Sequence, residues 1–462
     1  MPRRASRVTM LVVAAYAVAL VGWAWFVTTV DPPWLTFDRP GGRPAALGTA
    51  IGGAIAAHGA LVLAILRWGR GGGRAGALAS GILIVASLAH LIVSTIVGEY
   101  QDYYLFLDIW REILAGRDPW FLVVGGPRGS YSLHAYGPLY NLLAPLTHWH
   151  PLGPKLLFAG AYWAFVAWLS LTAPSRGMPR WSAPAMAAWF AGPFAWVEIA
   201  VFGHFDVLVA LLCVGAVDAV ARGRWGASAV WTASGVLLKY IPGILAPFLA
   251  LDRGKVRWRW LAATAGLSLA GLGVAWAIWG PSVLRPILLA TSRESAGLSF
   301  FRYLRGMHSP VSGEDLFFRT DEYAGPALLL GLYLAWRWSR RERLEPAASG
   351  VLGLVVTLAL YKVGFPQYFM VPYLLAPYWF AREHATLPRR GWLVATYLAA
   401  FAWVSWFNIL MAGNRHVWVE HWAGLVTLPL MLALAAAIAV AGRDQSLSEV
   451  SRPTPGPESR RA

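Results

Sequence analysis

The sequence predicts an all-α polytopic membrane protein with about 12 transmembrane helices, a broken re-entrant helix pair and an interfacial helix in an outer loop. Hydrophobic residues make up 57% of the 462 residues and charged residues only 13%. The mean hydropathy is +0.51, and the chain holds 26 Trp residues. This composition excludes an ordinary soluble domain. The net charge of +16 is interpreted as a topology signal and not as a nucleic-acid footprint.

Apolar stretches of spanning length alternate with connectors, and every second connector is rich in Arg or Lys. Basic connectors stay on the cytoplasmic side, so both chain termini are predicted to be cytoplasmic. Residues 1–445 form one transmembrane domain, and the Pro-rich and Ser-rich residues 446–462 are predicted to be a disordered cytoplasmic tail. The stretches cover residues 8–30, 44–66, 75–97, 155–174, 182–200, 205–221, 258–279, 323–338, 347–362, 368–381, 391–411 and 417–441.

The outward connector 98–137 is unusually rich in charged and aromatic residues for a membrane protein. Apolar residues recur at helical spacing over 105–114 with charged residues opposite, which predicts an amphipathic helix at the interface that ends at Gly116. A carboxylate beside this helix could be a solvated loop charge or a general base. Asp102 is the first candidate base, Glu99 and Asp108 are weaker ones, and the neighbouring candidates for substrate contact are Tyr103 and Tyr104.

Residues 225–251 have basic connectors on both sides and therefore do not fit one straight crossing. A proline at position 242 lies near the middle of the stretch. We expect two short helices that enter and return, broken near the middle of the membrane. The break would present Lys239 to the interior, where it could contact substrate.

The outward connector 280–322 carries arginines on the side where positive charge is normally avoided. They are Arg285, Arg293, Arg302, Arg305 and Arg319. One explanation is an anionic ligand such as a lipid phosphate, held by guanidinium groups of these arginines together with His308. The other is internal pairing with acidic residues of the same loop, which are Glu294, Glu314, Asp315, Asp321 and Glu322.

Further polar residues follow outer turns and are candidates for substrate contact. His204 and Asp206 could touch a sugar, although Asp206 could instead cap the following helix. Lys362, Gln367 and Tyr368 could line the same cavity, or Lys362 could extend to the membrane interface. The histidines are scattered without metal-ligand spacing, so no metal site is predicted.

The order of several motifs resembles the C-type (GT-C) glycosyltransferases, and especially the family 87 mannosyltransferases that use polyprenyl-phosphate-mannose. Each motif alone is weak, and their shared order over about residues 98–380 carries the resemblance. The motifs are Asp102-Tyr103-Tyr104, Gly116-Arg117-Asp118-Pro119-Trp120, Tyr136-Gly137-Pro138-Leu139-Tyr140, Gly203-His204-Phe205-Asp206, Leu238-Lys239-Tyr240-Ile241-Pro242 and Phe365-Pro366-Gln367-Tyr368.

The resemblance implies a GT-C-like membrane glycosyltransferase that takes a hexose, mannose at family level, from a polyprenyl-monophosphate carrier on the non-cytoplasmic face. A lipid or glycan would accept the sugar, and Asp102 would be the base of an inverting transfer. Cations would hold the leaving phosphate, and the candidates are Arg302, Arg305, His308 and Lys362. No cofactor or obligatory metal is predicted, and the partners are the lipid-linked donor, the acceptor and membrane lipids, with no nucleic acid.

One feature departs from the family, whose members commonly place the acidic loop after the first span. We interpret residues 8–66 as an added N-terminal hairpin, because the segment after the first span lacks the helix and its Gly-x-x-Pro-Trp ending. If that alignment is wrong, Asp31 or Asp38 takes the role of Asp102. Two other classes stay open, a transporter or lipid flippase and an envelope polysaccharide polymerase or ligase that would use connector 280–322.

Overall fold

The computed structural model describes residues 58, 75–100, 102–120, 123–125, 131–176, 178–305, 320–383, 391–412 and 417–450. Helices dominate these ranges, accompanied by three two-stranded ladders. The all-α class predicted from composition is therefore confirmed. Apart from His58, the predicted N-terminal hairpin at 8–66 lies outside the described residues, as does His308.

Most long helices coincide with the predicted apolar stretches to within a few residues at each end. Trp225–Leu238 lies instead in the predicted broken segment, Ser182–Phe190 ends before its stretch does, and Val417–Val450 extends beyond its stretch. The other long helices are Ala75–Val97, Gly153–Thr172, Asp206–Ala221, Trp258–Trp279, Thr320–Arg341, Pro346–Leu360, Met370–Arg382 and Gly391–Ala412. The helix Ser182–Phe190 continues through Pro193–Ala195 into a π-helical turn, Trp196–Val201. Such π turns inside longer helices are frequent at functional sites.

Six helical segments within the described ranges are long and apolar enough to cross a membrane. They are Ala75–Val97, Gly153–Thr172, Ser182–Val201, Trp258–Leu288, Gly391–Ala412 and Val419–Arg443. The chain is thus an all-α membrane protein, and the total of about 12 spans stays a prediction.

The helices Pro346–Leu360 and Met370–Arg382 form the centre of the bundle, since nearly all of their side chains are buried. The outer helices expose large apolar side chains, among them Leu88, Leu269 and Leu329. In a membrane bundle such outward apolar side chains face lipid, so their exposure does not destabilise the fold as it would in water.

The segment 225–251 is broken at the predicted position. The helix Trp225–Leu238 ends where Lys239 adopts an extended backbone, and a 3₁₀ turn, Ile241–Leu245, precedes the short helix Ala246–Leu249. Pro242 lies at the start of that turn, where its missing N–H is not needed. The break presents the Lys239 side chain to the interior of the bundle, where it is 6% exposed.

The connector 98–137 contains the predicted helix, which spans Asp102–Leu114 and is followed by Gly116 at a φ of +73°. A hairpin that the sequence did not predict follows, with Val123–Gly125 antiparallel to Tyr131–Leu133 and Val124 opposite Ser132. The 3₁₀ helix Pro138–Leu143 and the short helix Leu146–Trp149 complete the connection.

The described part of connector 280–322 is also ordered into short elements. A 3₁₀ turn, Gly280–Leu284, leads into the helix Arg285–Ser292, and a second helix spans Phe300–Arg305. Between them, Ala296–Gly297 pairs in parallel with Val363–Gly364, with Ala296 opposite Val363. This ladder ties the connector to the segment that carries Gln367 and Tyr368.

One prediction about the tail is wrong. The last helix continues to Val450, so residues 446–450, for which composition predicts disorder, are helical. Extending an existing helix is favourable because each added residue gains one hydrogen bond. The first helix-breaking proline follows only at position 453, so no proline interrupts the helix over 446–450.

Candidate functional site

The helix Asp102–Leu114 is held against the bundle by its apolar face. Tyr103, Phe106 and Trp110 are buried, and the ring of Trp110 stacks on Tyr140 with centroids 5.3 Å apart. The Tyr103 hydroxyl donates to the carbonyl of Pro151 at 2.5 Å. These contacts fix the start of the helix, where Asp102 is the first residue and its carboxylate is favoured by the helix dipole.

The turn after this helix positions Tyr136. Oδ1 of Asp118 accepts the amide N–H of Trp120 at 3.0 Å, and the Trp120 indole donates to the carbonyl of Tyr136 at 3.1 Å. Burial and the Asp102 and Asp206 carboxylates raise the pKa of Tyr136 well above its usual value. The Tyr136 hydroxyl therefore stays neutral and can donate a hydrogen bond.

Gly203 brings a second outer turn against the same helix. Its φ is +66°, and a Cβ atom at this position would lie 2.3 Å from the ring of Tyr103. Only glycine allows both this backbone conformation and this approach. The close contact places the next residue, His204, beside Asp102.

A chain of three side chains crosses this turn. Nε2 of His204 lies 3.0 Å from Oδ2 of Asp102, and Nδ1 of His204 lies 2.6 Å from Oε2 of Glu198. The Glu198 and His204 side chains are 0% and 1% exposed, whereas that of Asp102 is 43% exposed. Glu198 belongs to the π-helical turn Trp196–Val201. The exposed end of the chain is thus the Asp102 carboxylate.

The two carboxylates keep the imidazole of His204 charged. Burial disfavours the charged form, but attraction to the Glu198 carboxylate and hydrogen bonds to Asp102 and Glu198 outweigh it and raise the pKa of His204 to about 10. A doubly protonated imidazole donates from both nitrogens. It therefore orients Asp102 through Oδ2 and leaves Oδ1 of that carboxylate outside this hydrogen bond.

Asp102 faces a cavity of about 290 Å³. The walls combine one carboxylate, two cations, an amide and several aromatic rings, which is a composition suited to a polar ligand with an apolar part. The lining residues are Asp102, Leu105, Phe106, Ala135, Tyr136, Lys239, Tyr240, Ile241, Pro286, Arg293, Tyr361, Phe365, Gln367 and Tyr368.

Lys239 enters this cavity from the helix break. Its Nζ lies 2.5 Å from Oδ1 of Asp206 and 4.6 Å from the centre of the Tyr368 ring. Both side chains of the ion pair are buried, at 7% and 3% exposure. Asp206 is the first residue of its helix, and the residue before it makes no side-chain cap. The interpretation of Asp206 as a helix cap is therefore wrong, because its carboxylate binds Lys239.

Arg293 supplies the second cation. One of its guanidinium nitrogens, Nη1, lies 3.4 Å from the Tyr368 hydroxyl. Gln367 beside it has a buried Oε1 atom with no hydrogen-bond partner among the described residues. Buried polar atoms are normally hydrogen-bonded, so this oxygen is a candidate partner for a ligand hydroxyl in the cavity that Gln367 lines.

The chain resembles a lipid-linked mannosyltransferase over about half its length. It is 27% identical over 259 residues to the polyprenol-phosphate-mannose-dependent alpha-(1-2)-phosphatidylinositol pentamannoside mannosyltransferase of Mycolicibacterium smegmatis. The match covers 52% of this chain and 59% of that relative. No protein-family model matches the chain.

This similarity supports, at a distance, the mannosyltransferase resemblance indicated by the motifs. The finer assignment to family 87 stays a prediction.

The structure brings together six of the residues predicted from sequence. Asp102, Lys239, Gln367 and Tyr368 line the cavity, while His204 and Asp206 lie behind it as the partners of Asp102 and Lys239. Tyr103 is buried beneath the turn at Gly203 and positions the helix.

The remaining acidic candidates, Asp108 on the helix and Glu99 just before it, point to a different partner. Asp108 pairs with Arg111 at 3.0 Å, and Glu99 lies 3.9 Å from the same guanidinium group. Neither lines the cavity, and neither does Tyr104. Among the described acidic side chains, Asp102 alone lines it.

The predicted phosphate ligands Arg302 and Arg305 do not line the cavity. Arg302 lies 3.5 Å from Glu420, while Arg305 pairs with Glu294 at 2.6 Å and with Asp321 at 3.9 Å. Internal pairing, the second explanation for the basic connector, thus accounts for Arg305. Lys362 lies outside the lining, and its carbonyl accepts the Ala296 amide in the parallel ladder.

Two charged residues of this site, Arg293 and Glu198, were not among the predicted site residues. Arg293 belongs to the basic connector, but nothing in its local pattern distinguished it from Arg302 or Arg305. Glu198 is a carboxylate within a candidate membrane span. An ionisable residue in such a position is a functional candidate by itself, so this signal was present in the sequence.

Candidate metal ligands are also sparse. In the part of the chain that the structure describes, no group of three or more His, Cys, Asp or Glu side chains could hold a metal ion.

Proposed function

We propose that this chain is a membrane glycosyltransferase that moves a hexose, with mannose as the first candidate, from a polyprenyl-monophosphate carrier to a lipid or glycan acceptor. The observation that carries the proposal is the shared cavity of about 290 Å³, in which the Asp102 carboxylate and the cations Lys239 and Arg293 face one space. The sugar and the donor class rest on the relative described above.

Asp102 acts as the general base. The acceptor hydroxyl oxygen forms a bond to the anomeric carbon while the bond from that carbon to the phosphate oxygen breaks. The hydroxyl proton passes to Oδ1 of Asp102, because Oδ2 is engaged by His204. Attack from the face opposite the leaving phosphate inverts the anomeric centre.

The leaving phosphate departs with the bonding electrons and needs nearby positive charge. Arg293 is the preferred cation in this proposal, because its guanidinium lines the cavity and contacts only the neutral Tyr368 hydroxyl among the described side chains. Lys239 contributes less, since its ammonium is bound to Asp206. The aromatic rings of Tyr136 and Tyr368 offer stacking surfaces for the sugar ring.

The cavity would open to the non-cytoplasmic face. This orientation rests on the basic connectors, which put both termini on the cytoplasmic side and the connectors 98–137 and 280–322 outside. Donor lipid would reach the cavity from the bilayer through the apolar surface of the bundle.

A transporter or flippase is the second candidate function. The helix broken at Lys239 and the buried Lys239–Asp206 pair favour it, because discontinuous helices with internal charges line transport pathways. A polysaccharide polymerase or ligase would instead depend on residues of connector 280–322, of which Arg293 lines the cavity.

Transfer of radiolabelled mannose from a short polyprenyl-phosphate-mannose to endogenous membrane lipids tests the proposal. Wild type is compared with Asp102→Asn and with Asp108→Asn, a control on the same helix that lies outside the cavity lining. We expect transfer by wild type and by the control. The Asp102→Asn variant should lose on the order of 100-fold or more in transfer rate, which is the usual contribution of a general base.

Equal activity in all three proteins would overturn the role of Asp102. Absence of transfer in all three, together with counterflow of labelled solute in proteoliposomes, would identify a transporter. Loss of transfer in Arg293→Ala with full activity in Asp102→Asn would favour the polymerase or ligase.

A further inference from the structure

A second cavity, of about 680 Å³, lies among basic residues and shares no lining residue with the cavity at Asp102. Six of its lining side chains are cations, and two are aromatic. The cations are Arg253, Lys255, Arg337, Arg340, Arg341 and Arg343, and the aromatic residues are Tyr333 and Trp336. We call this site the basic cavity.

The basic cavity is built where a tight hairpin meets a helix end. The strands Leu251–Asp252 and Lys255–Val256 pair antiparallel, and the turn between them has φ values of +48° at Arg253 and +81° at Gly254. Nε of Arg340 donates to the Gly254 carbonyl at 3.3 Å. A Cβ atom at Gly254 would lie 2.7 Å from the Arg340 carbonyl, so the two elements are in close contact.

The positive charge of this cavity is largely uncompensated. Among the described residues, Arg341 is the one lining cation with an ion pair, at 3.6 Å from Glu342. Glu342 also lies 3.7 Å from Arg443, and the nearby Asp252 is bound to Arg257. Six cations around one space repel each other unless an anion enters. The charge therefore favours an anionic ligand.

The position of the cavity points to the membrane surface. The helix Trp258–Trp279 starts just after the hairpin and has 22 residues, which corresponds to ~33 Å. Its far end leads to Pro286 and Arg293 of the candidate active site. The basic cavity is thus separated from Asp102 by about the thickness of the bilayer hydrocarbon, ~30 Å, and lies at the opposite surface.

The aromatic residues also place the basic cavity at the membrane surface. The Arg337 guanidinium lies 5.7 Å from the Tyr333 ring and that of Arg340 lies 5.5 Å from the Trp336 ring. The Trp336 indole donates to the Pro247 carbonyl at 3.1 Å. Trp and Tyr concentrate at the level of lipid headgroups, and juxtamembrane clusters of four to eight Lys and Arg bind anionic lipid.

We propose that the basic cavity binds the phosphate headgroup of an anionic membrane phospholipid. The guanidinium groups contact the phosphate oxygens, and the acyl chains lie along the apolar surface of the adjacent helices. The site is independent of sugar transfer, since it shares no lining residue with the cavity at Asp102. It would anchor the hairpin and the end of the helix Thr320–Arg341 to one leaflet.

The test measures lipid binding to the purified full-length chain in detergent. Mixed micelles containing cardiolipin, phosphatidylglycerol or phosphatidylcholine are titrated, and inorganic phosphate is titrated separately. The triple variant Arg253→Gln/Lys255→Gln/Arg337→Gln removes three exposed cations of the cavity. The control Arg180→Gln/Arg222→Gln/Arg224→Gln removes three exposed cations outside it.

Wild type and the control are expected to bind cardiolipin and phosphatidylglycerol in preference to phosphatidylcholine. The cavity variant should bind them at least about tenfold more weakly, because each cation near a headgroup contributes several-fold. Equal weakening in the control, or no preference of wild type for anionic lipid, would overturn the proposal. Binding of inorganic phosphate without a lipid preference would replace the lipid by a small soluble anion.

Discussion

Nε2 of His204 lies 3.0 Å from Oδ2 of Asp102, although 102 residues separate them in the chain. The imidazole fixes the carboxylate that faces the cavity, and its other nitrogen is held by Glu198. Hydrogen bonds between charged groups are short and strongly directional. The carboxylate proposed as the base is therefore preorganised by two buried residues that do not line the cavity themselves.

Glu198→Gln is expected to lower kcat for sugar transfer by about tenfold, since it weakens one charge-assisted hydrogen bond. KM should change little, because Glu198 does not line the cavity. Steady-state kinetics in matched membranes measure both constants. Glu99→Gln serves as the control, since Glu99 lies 3.9 Å from Arg111 on the exposed side of the helix. A rise in KM at constant kcat would contradict a positioning role.

The stability of the protein is expected to depend on pH through His204. Its pKa rises from 6.5 to about 10 on folding. The charged imidazole therefore stabilises the fold fully below about pH 6.5, and this contribution is lost as the pH rises towards 10. The difference in Tm between wild type and His204→Gln should shrink from pH 6 to pH 10. A constant difference across this range would show that His204 is neutral in the folded protein.

Lys239→Met is expected to destabilise the protein by about 3 kcal/mol or more, because it leaves the buried Asp206 carboxylate without its partner. The double variant Asp206→Asn/Lys239→Met should recover most of that stability, since the unpaired charge is gone. Denaturation in detergent measures both. Equal stability of the single and double variants would contradict a cost of burying the unpaired Asp206 carboxylate.

Gly203→Ala is expected to unfold the outer turn and reduce activity strongly. The added methyl would meet the Tyr103 ring at 2.3 Å, and the φ of +66° is unfavourable for alanine. Gly116→Ala is the matched control, since its φ is +73° but nothing lies within 4 Å of the added atom. The control should lose only about 1 kcal/mol from backbone strain. Similar Tm values for the two variants would exclude the steric contribution.

Much of the fold could be predicted from local patterns. The amphipathic helix before Gly116 and the helix break at Lys239 follow from residue periodicity, glycine and proline. The tail was mispredicted over 446–450, because composition alone does not show how far an existing helix extends.

The candidate site could be predicted only in part. Asp102, Lys239 and Gln367 were identified from motifs at helix ends and turns, and they line one cavity. The sequence pattern does not distinguish Arg293 from Arg302 and Arg305, since all three lie in the same connector. Arg302 and Arg305 each lie beside an acidic side chain, and such pairs form between residues that the fold brings close together in space. The sequence therefore does not show which arginine can bind a ligand.

Local sequence patterns therefore predict the class of protein, most of the helices and the residues able to do chemistry, because hydrophobic burial and backbone propensity act over a few turns of chain. Which charges meet depends on the three-dimensional fold. Asp102 joins His204 and Glu198, Asp206 joins Lys239, and Arg293 reaches the cavity in place of its neighbours. Electrostatic contacts act over a few ångströms between segments distant in sequence, so no local pattern specifies them.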